Sequence, residues 1–248
     1  GSVLFSAPNM IDGDAIVARK ADVQPQAAEV SSPAKNSLGS LAGKRIAVVT
    51  GTIADRTMSS FVPTAKPVYF DTQSDLVTAL RTDKVDAIFI GIPMGRFMMS
   101  EYRNMVMLGD PITNEECSLI FAKTETGRKL CDQFSEFTKA AWDNGTVQEL
   151  ESIWFGKDES KRVMKDYTKL PAPNGILKMA VDTSVVPFTY VKNNMIVGYD
   201  VDFAVRFCEA YGYGLEIVTM NFAGIIPAVL SGKCNFAGGS FIITDERK

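Results

Sequence analysis

The apolar positions of this 248-residue chain gather into short runs separated by amphipathic stretches, and one order of runs occurs twice. RIAVVT (45–50) and KMAVDT (178–183) each read as an apolar strand ending in Thr. VYF (68–70) and LEIVT (215–219) follow as a second strand in each copy. Residues 75–91, DLVTALRTDKVDAIFIG, then lie on residues 224–240, GIIPAVLSGKCNFAGGS, at constant offset. Leu76 falls on Ile225, Val77 on Ile226, Ala79 on Ala228, Lys84 on Lys233 and Asp86 on Asn235. Each copy predicts strand, connection, strand, helix, strand, which is a small parallel sheet flanked by helices. The expectation is an α/β protein of two similar lobes.

Helices outside the repeat are signalled by spacing. Leu130, Phe134, Phe137 and Ala141 recur at helical intervals before Asn144-Gly145 ends the run. Thr146 to Glu149 has the spacing of a capping box and should open a helix carrying Leu150, Ile153 and Trp154 on one face. Asp200 is placed to cap a helix whose inner face is Phe203, Ala204, Phe207, Cys208 and Tyr211, stopped by Gly212. These stripes read as core. GDAIVARK (13–20) and ECSLIFAK (116–123) also look alike and bracket the first copy, as paired crossings into and out of one lobe would. Paired crossings form a hinge. Residues 22–42, rich in Pro, Ala, Ser and Gly, and residues 156–174, with a charged run and two prolines, read as linkers.

Composition narrows the chemistry. With 46% apolar and 22% charged residues the chain is of the soluble globular type. The net charge of −3 is spread with both signs interleaved, so no basic surface points to nucleic acid. No apolar run approaches the roughly 20 residues of a membrane helix. Gly1-Ser2 reads as a cloning remnant rather than a signal peptide. Histidine is absent, which removes Ser-His-Asp and Cys-His nucleophiles, an imidazole base and a His-ligated zinc. Cys117, Cys131, Cys208 and Cys234 form no CxxC pair; buried thiols are the simpler reading, a Cys208–Cys234 bridge the alternative. No metal site and no cofactor is expected.

The second half of the chain resembles the periplasmic amino-acid-binding proteins, the family 3 solute-binding proteins of ABC transporters. The resemblance rests on residues 179–218, on NFAGIIPAVLSGKCN (221–235) and on ITDERK (243–248). The first half resembles the remainder of that family through FSAPNM (5–10), LAGKRIAVVTGT (41–52), DKVDAIFIG (83–91) and DNGTVQELESIWFG (143–156). It implies a two-lobed, type II binding-protein fold with a hinge and a ligand cleft between lobes. The order of segments is permuted. In the family, ITDERK runs into FSAPNM and WFG lies near the C-terminus; here WFG precedes the family's N-terminal half. A true permutant and a cut from tandem copies both produce this order, and the tandem reading suits the linker-like residues 157–174. One lobe is then residues 13–108, the other residues 1–12, 109–155 and 176–248, with 156–175 as linker; lobes could also pair between two molecules.

Ligands of open α/β sheets sit beyond the C-terminal strand ends. Gly51 and Thr52 could offer N–H groups and a hydroxyl to an anionic oxygen, and Arg247 has the planar fork that grips a carboxylate. The resemblance implies the same roles: Arg247 matches the carboxylate grip, Thr244 and Ser240 lie in that stretch, and Thr52 matches the anion contact of the other lobe. Phe188 and Phe222 sit where the family places pocket aromatics, although core packing and, for Arg247, simple solvation are the plain alternatives. Three departures stand out. Gly91 replaces the acid that receives an α-ammonium, Ile242 replaces a small hydroxyl residue, and Val185 replaces an aromatic. With no acid at Gly91, the expected ligand bears a carboxylate on an apolar or neutral polar body, unless Asp12, Asp55 or Asp182 supplies the charge.

The leading functional expectation is binding without catalysis: an exported protein, periplasmic or extracellular, that passes a small carboxylate or amino acid to an ABC permease. A sensor module of a receptor or tandem-domain protein is the alternative. A dehydratase-like enzyme ranks last, because no histidine and no paired carboxylates are available for acid–base work.

Overall fold

The structure, a computed structural model, describes residues 2–22, 41–52, 54–108, 112–113, 115–156 and 158–247. Most of the linker-like stretch 22–42 lies outside the described residues, as do the side chain of Asp55 and Lys248.

The chain divides into two compact units, Gly1–Ile11 with Glu115–Lys248, and Asp12–Asn114. It starts in the first unit with β1 (Val3–Phe5) and leaves along β2 (Met10–Asp12). The second unit contains β3 (Asp14–Arg19), β4 (Arg45–Val49), α1 (Ala54–Phe61), β5 (Lys66–Phe70), α2 (Gln73–Arg81), β6 (Ala87–Gly91), α3 (Ile92–Glu101) and β7 (Met105–Leu108). Back in the first unit come β8 (Glu115–Ala122), α4 (Glu125–Asp143), α5 (Thr146–Trp154) and β9 (Ile176–Val181). A small antiparallel sheet of β10 (Ser184–Val185), β11 (Thr189–Lys192) and β12 (Met195–Val197) follows. The chain closes with α6 (Tyr199–Tyr211), β13 (Gly214–Thr219), α7 (Phe222–Leu230) and β14 (Phe236–Ile242).

The main strand orders are β5-β4-β6-β3-β7 in the second unit and β13-β9-β14-β8-β1 in the first. In each, three parallel strands are followed by an antiparallel one: β3 against β6, and β8 against β14. The predicted repeat is therefore one topology built twice. It reaches individual hydrogen bonds. Asp86 Oδ2 accepts the Arg45 N–H at 2.8 Å, and Asn235 Oδ1 accepts the Lys178 N–H at 2.7 Å. The return bonds, Asp86 N–H to Arg45 O and Asn235 N–H to Lys178 O, are both 2.8 Å. A strand N–H that lies beyond the end of its neighbouring ladder needs an acceptor, and a short side-chain oxygen supplies it.

GDAIVARK and ECSLIFAK resemble each other because β3 and β8 hold the same place in the two sheets. Each is apolar because each is an inner strand covered on both faces. The first unit's core is aromatic, with the Phe134 and Phe207 rings stacked 3.5 Å apart and Phe121 and Phe236 beside them. The second unit's core is built of Ile16, Ile46, Val48, Met58 and Phe89.

Three local expectations change. Thr146 is already the first helical residue of α5, so no capping box forms; its N–H and hydroxyl bond Asn144 Oδ1 at 3.0 and 2.7 Å. Asp200 lies inside α6, not at its cap, and its carboxylate points to β14. Residues 158–170 are packed into the first unit, with Tyr167 buried and the Arg162 guanidinium donating to Gly156 O at 2.8 Å. The four cysteines are free thiols, all buried, so the Cys208–Cys234 bridge does not form.

Candidate functional site

The C-terminal edge of the first unit's sheet is shaped by a break in β14. Its register against β8 shifts between Ala237 and Phe241, where Gly239 has φ 135° and Ser240 φ 55°. A side chain at positive φ carries backbone strain and needs its surroundings to hold it. Asp200 does so. Its Oδ2 accepts the N–H groups of Gly239 at 2.6 Å and Ser240 at 3.0 Å, while Oδ1 accepts from Asn9 Nδ2 at 3.1 Å. Burial pushes the Asp200 carboxyl above its usual value, opposed by these three donors. The bulge brings the Ser240 hydroxyl within 3.5 Å of the Cys117 sulfur on β8.

Past β14 the chain turns tightly. The Arg247 N–H donates to Thr244, to its O at 3.1 Å and Oγ1 at 3.3 Å. The Arg247 guanidinium folds back to donate to Ile242 O at 3.2 Å and lies 5.7 Å from the Phe241 ring centroid. The Phe241 ring stacks on Phe222 at 5.0 Å and 16°. Arg247, Thr244, Ser240 and Phe222 thus share one edge of the first unit. Phe222 opens α7, and its N–H is fixed by Asp182 Oδ2 at 2.8 Å; Asp182 Oδ1 accepts the Ser184 N–H and hydroxyl at 2.8 and 2.7 Å. Asp182 is thereby committed to orienting the site. Phe188 is not at this edge: it is 3% exposed, among the rings of Phe155 and Tyr199 at 5.4 and 6.1 Å.

At the corresponding edge of the second unit, Gly51 (φ 81°) turns the chain after β4. Thr52 turns back on the strand, its hydroxyl and N–H both donating to Val49 O at 2.8 and 3.3 Å. The Thr52 N–H expected to meet an anion is therefore engaged. Gly91 ends β6 and caps α3. A Cβ there would lie 3.0 Å from Asp12 Oδ2, so the space an acidic side chain needs is taken by the Asp12 carboxylate itself. Asp12 is 8% exposed, and its Oδ1 accepts the Gly13 N–H at 2.6 Å. The Asp12 carboxylate thus stands beside Gly91. The sequence names Asp12 and Asp182 only as possible ligand charges and Asp200 only as a helix cap; the backbone N–H groups that Asp182 and Asp200 hold are not legible in it.

Residues 177–248 match the model of the family described as bacterial extracellular solute-binding proteins, family 3. Over 72 residues the chain is 31% identical to the "Probable histidine-binding protein" of Campylobacter jejuni, covering 29% of this chain and 28% of that one. The chain thus spans well under a third of the length of the curated relatives it matches. Among solved structures it is similar to a mutant of ArgBP from T. maritima, with TM-score 0.51 and 23% identity over 62% of both chains. It is also similar to AbpA, an amino acid ABC transporter substrate-binding protein from Streptococcus pneumoniae bound to L-arginine. There the TM-score is 0.50 and the identity 15%, over 60% of this chain and 59% of that one. The fold is that of the periplasmic amino-acid-binding proteins, type II.

Proposed function

We propose that this chain, which matches the family 3 extracellular solute-binding protein model over residues 177–248, binds a small carboxylate-bearing solute, an amino acid or related acid, for ABC-type uptake. One observation carries the reading. Arg247 is held by the Thr244 turn and by the Phe241–Phe222 stack at the C-terminal strand edge, where α/β sheets bind ligands. A guanidinium so placed has the fork geometry for a carboxylate. The names of the relatives, all binding proteins, favour capture without chemistry and a periplasmic or extracellular setting. Asp12 at Gly91 favours a ligand with an ammonium.

The permuted segment order belongs to the same proposal. Arg247 O accepts the N–H groups of Ser2 and Val3 at 2.9 and 3.0 Å, so the two segments that the family joins directly meet in space.

The test is a thermal-shift screen of amino acids, dicarboxylates, keto acids and aromatic acids, followed by calorimetry. A ligand at 100 times its dissociation constant should stabilise the fold by about 2.7 kcal/mol. Binding that Arg247→Ala abolishes supports the reading. Silence across the panel from a cooperatively melting protein overturns it.

A further inference from the structure

β13 is the outer strand of the first unit's sheet, two strands away from β14. In its parallel pairing with β9 the N–H groups of Gly214 and Met220 donate to Gly175 O and Val181 O at 2.9 and 3.0 Å, which fixes the alternation between them. Gly214, Glu216 and Val218 turn their peptide groups to β9; Leu215, Ile217 and Thr219 turn theirs to the open edge. The N–H groups of Leu215 and Ile217 have no hydrogen-bond partner among the described residues, although Leu215 is only 6% exposed. A donor withdrawn from water and left unpaired is costly.

The 3-10 turn Tyr167–Lys169 packs beside β13. A cavity of about 460 Å³ is lined there by Tyr167, Leu170, Ile176 and Ile196 together with the consecutive residues Gly214 to Ile217. A Cβ on Gly214 would lie 3.0 Å from the Ala172 Cβ, so close packing shuts one end of the cleft. The charges beside it are paired, Lys178 with Glu216 at 3.2 Å and Lys169 with Asp166 at 2.7 Å, and neither sign is left over. The cavity thus sets open peptide groups against an apolar wall.

The second unit treats the same edge differently. Its outer strand β5 aligns on β13 through the repeat, the pair Arg45–Lys66 corresponding to Lys178–Glu216. Pro67 then holds the place of Ile217, and proline brings no N–H. Proline on an outer strand blunts it against a further strand. The first unit keeps the donor and leaves a cavity in front of it.

We infer that the β13 edge is a second binding site, which takes a short extended peptide of uncharged, largely apolar residues from a partner protein as an added strand. One residue of such a peptide matches the N–H and C=O that a single edge residue presents, and alternate side chains enter the apolar cavity. The site shares no residue with the one that holds Arg247 and stands or falls apart from it.

The probes are N-acetylated, C-amidated pentapeptides that alternate Val, Leu or Phe with Thr, and the same peptides N-methylated at two successive residues. Binding to the whole chain is read by fluorescence polarisation, and amide hydrogen exchange by NMR. The unmethylated peptides should bind, slow exchange at Leu215 and Ile217, and lose about tenfold or more in affinity on N-methylation, which leaves the protein untouched. Ile217→Pro, which spares the bonds to β9, should weaken them by a similar factor, and Ala172→Trp should fill the cleft and abolish binding. Peptides that bind equally well with and without N-methylation, or that leave exchange at Leu215 and Ile217 unchanged, overturn strand addition and reduce the cavity to a site for an apolar small molecule. Failure of every peptide to bind a cooperatively melting wild type overturns the site.

Discussion

The Asp200 carboxylate accepts the Gly239 N–H at 2.6 Å, and through that contact a buried helix residue sets the path of the strand that delivers Ser240, Thr244 and Arg247. Asp200→Ala leaves the N–H groups of Gly239 and Ser240 without an acceptor inside the fold. The expected cost is about 2–5 kcal/mol, read by urea unfolding, with weakened ligand binding in the fraction that remains folded. Asp200→Asn keeps an acceptor and should cost less.

Asp86 and Asn235 make the same pair of hydrogen bonds to a strand backbone, with Arg45 and Lys178, but only Asp86 carries charge. The side-chain hydrogen bond from Arg45 holds the Asp86 carboxyl at about 2, below its ordinary 3.8. A depressed folded value means stabilisation that is fully present above the unfolded value and lost as pH falls through the folded one. Asp86→Asn retains the carbonyl acceptor that Asn235 supplies in the first unit. Its stability deficit relative to wild type should therefore be constant near neutrality and shrink between pH 3.8 and about 2. Unfolding curves collected across that range check it; a deficit that persists at the acid end would contradict the charge argument.

All four thiols are buried, and burial pushes Cys131 to about 11 and Cys208 to about 12. The thiolate is the reactive form. The folded protein at pH 8 should consume almost no thiol reagent over minutes, and denaturant should release all four sulfurs together. Fewer than four titrated without reductant would reveal a disulfide.

Phe188 and Arg247 should separate stability from binding. Phe188→Ala removes a ring packed against Phe155 and Tyr199, at about 3–5 kcal/mol. Arg247→Ala removes a half-exposed guanidinium while its backbone contacts to Ser2, Val3 and Thr244 persist. It should change stability by under about 1 kcal/mol and weaken carboxylate binding by about tenfold or more. Calorimetric binding and chemical unfolding on the same preparations decide it.

Apolar periodicity determines the strands β4, β5, β6, β9, β13 and β14, the helices between them and the doubling of the unit, because burial of one helix face or both strand faces is written locally. Even the pairing of Asp86 with Asn235 is legible as an aligned polar position after a turn. The carboxylates are not. Asp200 reads as a helix cap, and its partner Gly239 is 39 residues away; Asp182 meets Phe222 at a separation of 40. Asp12 is one of several candidate acids in the sequence, and only the β3–β6 pairing, which sets Gly91 opposite Asp14, places a Cβ on Gly91 at 3.0 Å from the Asp12 carboxylate. Hydrophobic pattern specifies which face of an element is buried. Which donor a buried acid meets depends on how elements distant in sequence are brought side by side, and only the tertiary structure decides that.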